Sequence, residues 1–128
     1  MARYEHLPIY KTALELGVIL QGVVARFSRY NKYSLGSDLR EISRRIIQLI
    51  VRANSTDLAR AQVLGELVVS CEMLKTMLVF AKEARAFDNF CSFQRLSLMA
   101  VALCKQSEGW LQSSKKGLNH PPPARAGR

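Results

Sequence analysis

Apolar residues recur along this chain in alternating steps of four and three, the rhythm of helices that pack lengthwise on one another. Four segments carry it: Ile9, Ala13, Leu16, Leu20, Val23 and Phe27; Leu35, Leu39, Ile42, Ile46, Leu49 and Ala53; Leu64, Leu67, Cys71, Leu74, Leu78 and Ala81; and Phe93, Leu96, Ala100, Leu103 and Trp110, with Ser107 interposed. No segment alternates with period two, so no strand is expected. Pro8 stands at the start of the first stripe, where its missing N–H costs nothing. The pattern predicts helices near 8–27, 35–53, 57–85 and 91–113. Between them, Ser28 to Ser34, Asn54 to Asp57 and Ala86 to Asn89 are short links rich in capping side chains. Short links between long helices make neighbours antiparallel. The expected fold is all-α, an antiparallel up-down-up-down four-helix bundle over residues 1–113. Residues 114–128, with Lys115, Lys116, Pro121 to Pro123, Arg125 and Arg128, read as a basic, flexible, proline-containing tail.

Composition sharpens this picture through charge. Nineteen basic residues against ten acidic give a net +9 on 128 residues, which favours an anionic partner. The excess is uneven: residues 1–53 carry nine basic and four acidic side chains, residues 54–113 six and six, and the tail four and none. Cys71, Cys91 and Cys104 show no Cys-x-x-Cys spacing and lie in apolar helical segments, so they read as buried thiols rather than disulfides or zinc ligands. No apolar run approaches the roughly 18 residues of a membrane span, and no signal-peptide pattern opens the chain. A cytoplasmic protein with no membrane association is expected.

Candidate chemistry is sparse. His6 and His120 are the two histidines, and neither has an evident catalytic partner. No phosphate-binding loop, metalloprotease motif or nucleophile elbow occurs. Gly17, Gly22, Gly65 and Gly109 are isolated in helical patterns and read as close-packing positions. The expectation is a protein without catalytic residues, metal or cofactor.

The second helix carries the first binding signal. At about 100° per residue, Arg40, Arg44, Arg45 and Arg52 fall on an arc opposite the core stripe. The preceding turn adds Arg26, Arg29 and Lys32, interleaved with Tyr30 and Tyr33, against Asp38 and Glu41 alone. Such a patch suits phosphates, and its tyrosines suit stacking on unpaired bases. The plainer reading is a solvated helix face, with Glu41 and Arg45 pairing at i,i+4. The third helix carries the second signal: Val69, Met73 and Phe80 lie opposite its core stripe, leaving a narrow polar sector around Glu72, Lys75 and Thr76. A second apolar face on one helix fits an interface with another subunit.

Several short segments then stand in a suggestive order: Leu7-Pro8-Ile9-Tyr10-Lys11, Arg29-Tyr30-Asn31-Lys32-Tyr33-Ser34-Leu35-Gly36, Ile50-Val51-Arg52-Ala53-Asn54, Ala86-Phe87-Asp88-Asn89-Phe90 and Glu108-Gly109-Trp110-Leu111. Over roughly residues 7–112 this set resembles the accessory variability determinant proteins of diversity-generating retroelements. More distantly, it resembles the four-helix bundle proteins encoded in intervening sequences of bacterial 23S ribosomal RNA genes. The resemblance implies a barrel-shaped, positively charged homopentamer. It also implies association with the element's reverse transcriptase and template RNA, in the complex that makes mutagenised complementary DNA for retrohoming. The accessory protein contributes no catalytic residue there. Two alternatives stand beside it: a stand-alone nucleic-acid-binding bundle, and a small helical enzyme in which Arg40, Arg44 and Glu41 hold an anionic metabolite. The outward direction of these arginines argues against the enzyme.

Overall fold

Four long helices account for most of the chain in the computed structural model, which describes residues 3–117. They are α1 (Pro8–Ala25), α3 (Leu35–Ser55), α4 (Arg60–Glu83) and α5 (Phe90–Lys115), with a single-turn α2 (Arg29–Lys32) in the first link and a 3-10 turn at Tyr4–His6 before α1. Every regular element among the described residues is helical. Helix α1 packs against α3 and α5, and α4 packs against the same two, so the four enclose one core, consistent with a four-helix bundle. No helix among the described residues is long and apolar enough to cross a membrane. Helix α5 runs to Lys115, and Pro121 to Pro123, Arg125 and Arg128 lie outside the described residues.

The expected stripes are the core. Every stripe residue of α1, α4 and α5 is buried, down to Trp110 and Ser107 with no exposure at all. On α3, Leu39, Ile46, Leu49 and Ala53 are buried, while Leu35 and Ile42 are only half-buried at the rim. The core is also wider than one seam: Val24, Ile50, Val63 and Cys104 join it. Each helix meets two neighbours, so its apolar sector spans more than a two-position seam.

The links depart further from expectation. Helix α1 ends at Ala25, two residues early, because the amides of Arg26 and Phe27 turn back onto the carbonyls of Val23 and Val24 at 3.0 Å. Phe27 is thereby buried from outside the helix. Ser28 caps α2 by accepting from the Asn31 amide at 3.4 Å, and Asn89 caps α5 by accepting from the Ser92 amide at 2.8 Å. Gly36 opens α3 so close to α1 that a Cβ there would lie 2.6 Å from Val24 Cγ1.

Two other expectations are corrected, and one buried cation is added. Cys91 is exposed, because it falls on the outer face of the first turn of α5; Cys71 and Cys104 are buried, and all three thiols are free. Gly22 and Gly65 meet nothing within 4 Å of an added Cβ and are not close-packing positions, unlike Gly17, whose Cβ would approach Ser43 Oγ to 3.2 Å. Arg60, unremarked in the sequence, is buried: its Nε donates to the Ala53 carbonyl at 2.8 Å, a further guanidinium nitrogen donates to Asn54 O at 3.4 Å, and Asp57 lies 3.4 Å away. It serves the orphan carbonyls at the C-terminal end of α3.

The link from α4 to α5 is closed by a Schellman motif. The Ala86 amide donates to Ala81 O at 2.9 Å and the Arg85 amide to Lys82 O at 3.0 Å. That motif places one residue in the left-handed region, usually glycine. Here it is Arg85, at φ 60°, the one non-glycine residue with positive φ among those described.

Candidate nucleic-acid interface

The seven basic side chains predicted to bind nucleic acid do not form one patch. Arg26, Arg29 and Lys32 cluster at the end of the molecule where α1 stops and α2 turns. Arg40 and Arg44 stand one turn apart on α3, facing α1. Arg45 faces α4, and Arg52 lies near the far end of α3. Twelve residues separate Arg40 from Arg52, an axial distance of about 18 Å.

Local carboxylates divide them again. Arg26 Nε lies 2.9 Å from Asp88 Oδ2, an ion pair across the α1 and α5 ends. Arg45 pairs with Glu66 of α4 at 3.0 Å, replacing the expected pairing with Glu41, which instead stands 3.7 Å from Arg44. Arg29, Lys32, Arg40 and Arg52 make no ion pair among the described residues. Exposed pairs of this kind are worth about 0–1 kcal/mol, so a phosphate can displace the carboxylates, but the four unpaired cations are the ready ones.

Arg40 and Arg44 also border a shallow groove of about 200 Å³ between α1 and α3, floored by Gly17 and Ile47 and edged by Leu14 and Val18. Sequence reasoning expected no pocket beside them. The groove is mainly apolar and its lining holds no acidic side chain; Glu41 is exposed on the outer face. Val69, Met73 and Phe80 are each more than half exposed, as the second apolar face of α4 predicts. Val69 and Met73 line a larger groove of about 460 Å³ against Ile42 and Arg45 of α3.

Sequence reasoning missed the second half of the basic end. Phe27 meets Phe87 edge-on with ring centroids 5.3 Å apart, Phe87 meets Phe93 at 5.7 Å, and Phe90 meets Phe93 at 5.7 Å. This ladder ties the α1–α3 link to the α4–α5 link and brings Lys82 and Arg85 to the same end as Arg29 and Lys32. Lys82 Nζ stands 5.1 Å from the centroid of Phe93, within cation–π range, and 3.2 Å from Glu83. The Ala86 to Phe90 segment was visible as a word in the sequence, but no periodicity says which link it faces.

No family model matches the chain, and no curated protein or solved structure matches it.

The remaining polar cluster lies between α4 and α5. Burial pushes the Cys71 thiol up to about 12, partly offset by a hydrogen bond with Ser107. Burial likewise pushes Cys104 up to about 12, with its hydrogen bond to Glu72 adding to the rise. Glu72 is lowered by its hydrogen bond with Lys75, 3.1 Å away, and by that with Cys104; Lys75 is raised by the same pairing. Thiols so raised are protonated and weakly nucleophilic at neutral pH. Among the described residues, no group of three or more His, Cys, Asp or Glu side chains is placed to hold a metal ion, and His6 is exposed.

Proposed function

We propose that this chain is a non-catalytic accessory protein of a diversity-generating retroelement, cytoplasmic, binding the element's reverse transcriptase and template RNA to support mutagenic complementary-DNA synthesis and retrohoming. Each subunit is an antiparallel up-down-up-down bundle, and the subunits assemble as a ring-like homopentamer through Val69, Met73 and Phe80. The observation that carries this reading is the pairing of two unlike features on one small fold: an excess of cations, of which Arg29, Lys32, Arg40 and Arg52 have no ion pair among the described residues, suited to phosphates, and an apolar stripe on α4 suited to a second subunit. The ordered segments of the resemblance support it, since within them Gly36 lies at a close approach of α3 to α1, Phe87 joins the aromatic ladder and Trp110 is fully buried. The Arg26–Asp88 pair and the Phe27–Phe87 contact support the antiparallel order by joining the C-terminal end of α1 to the N-terminal approach of α5. The basic surface by itself also supports a stand-alone RNA-binding bundle. Purification of the tagged protein with the reverse transcriptase encoded beside it decides between them. Recovery of transcriptase and template RNA together supports the accessory role; RNA without transcriptase supports the stand-alone protein; recovery of neither refutes both.

A further inference from the structure

We propose that the end of the molecule formed by the α1–α3 and α4–α5 links is a platform for unpaired nucleotides, with Tyr30, Tyr33 and Phe90 stacking bases and Arg29, Lys32, Lys82 and Arg85 holding phosphates. This rests on the RNA-binding reading above and adds which form of nucleic acid the surface takes.

Four aromatic side chains of the described residues are exposed, and three of them lie here: Tyr30 at 85%, Tyr33 at 69% and Phe90 at 60%. The fourth, Phe80, belongs to the α4 stripe. Exposing large rings beside cations forgoes the burial energy that Phe27 and Phe93, buried at the same end, collect. The Phe27–Phe87–Phe93–Phe90 ladder and the Arg26–Asp88 pair tie the two links together at this end.

The charges fit the same ligand. Residues 26–33 and 82–90 carry five basic side chains against Glu83 and Asp88; Asp88 pairs with Arg26 and Glu83 with Lys82, which leaves Arg29, Lys32 and Arg85 without an ion pair among the described residues. Arg85 adds an independent sign. Its backbone is held in the left-handed region that a glycine would occupy without strain, yet an exposed arginine stands there. Duplexes offer phosphates to such an end but keep their base faces stacked inside; single strands offer both phosphates and π-faces. A surface that pairs cations with exposed rings therefore favours the single strand.

The test is fluorescence anisotropy of the full chain with an unstructured RNA of about twelve nucleotides, within the usual range of single-strand sites, and with a duplex of the same length. Two double variants are compared: Tyr30→Ala with Tyr33→Ala, and Tyr30→Phe with Tyr33→Phe. Both positions are exposed, so circular dichroism should be unchanged. Expected is tighter binding of the single strand than of the duplex, a loss of roughly tenfold or more in single-strand affinity for the alanine pair, and near-wild-type binding for the phenylalanine pair. Equal binding of both forms, or an alanine pair that binds as tightly as wild type, overturns the platform while leaving the accessory role standing. Absence of salt-dependent binding to either form overturns RNA binding altogether.

Discussion

Replacing Arg85 by glycine should make the protein more stable and a poorer binder of RNA. A non-glycine residue in the left-handed region costs roughly 1–2 kcal/mol, and Arg85 sits there at φ 60° because the Schellman hydrogen bonds of Ala86 and Arg85 demand it. Glycine removes that strain but gives the unfolded chain extra freedom, worth roughly 0.5–1 kcal/mol against folding. The net gain is about 0.5–1 kcal/mol, or a rise of roughly 2–4 °C in melting temperature for a chain of this size. Thermal unfolding followed by circular dichroism at 222 nm reads it. Arg85→Ala is the control: it removes the same cation and keeps the strained backbone, so its melting temperature should not rise. Both variants should lose comparable single-strand affinity. A glycine variant that melts at or below the wild-type temperature would refute the strain argument. One that gains stability without losing affinity would remove Arg85 from the interface.

Three further outcomes follow from the packing. Gly36→Ala should destabilise by about 1–3 kcal/mol in urea titration, since a Cβ 2.6 Å from Val24 Cγ1 forces α1 and α3 apart; an unchanged midpoint would show that the contact relaxes freely. Phe80→Asp should shift light scattering toward smaller species with helix content intact, because the side chain is exposed on α4 and outside the core; loss of helical signal would place it in the fold instead. Cys71 and Cys104 are raised from 9.0 to about 12 in the folded chain, so the stability they contribute is full below pH about 9 and is lost as pH rises from there toward 12. Iodoacetamide at neutral pH should accordingly label Cys91 alone in the native protein, and rapid labelling of all three would show that α4 and α5 open readily.

Helical period carries angular information, and where function or packing depends on angle alone the sequence was a sufficient guide. Trp110, Leu96 and Ser107 could be placed in the core, and Phe80 on the surface, from spacing only. Period says nothing about which helix stands opposite a given face. Val24 and Ile50 therefore join the core from outside the stripes, and Gly65, inside a helical pattern, faces open space. Arg60 was invisible for a related reason: its partners are carbonyls seven and six residues back, reached only because the chain reverses between them. The same limit governs the basic residues. Arg40, Arg45 and Arg52 share an arc on a helical wheel, yet Arg45 is held by Glu66 from another helix and Arg52 lies about 18 Å along the axis from Arg40. Arg29 and Arg85, 56 positions apart in sequence, come to one end because Phe27 meets Phe87 and Arg26 meets Asp88. An interface assembled from two links is thus written in contacts between distant segments, and the arc drawn from one helix divides what the fold joins while joining what the fold divides.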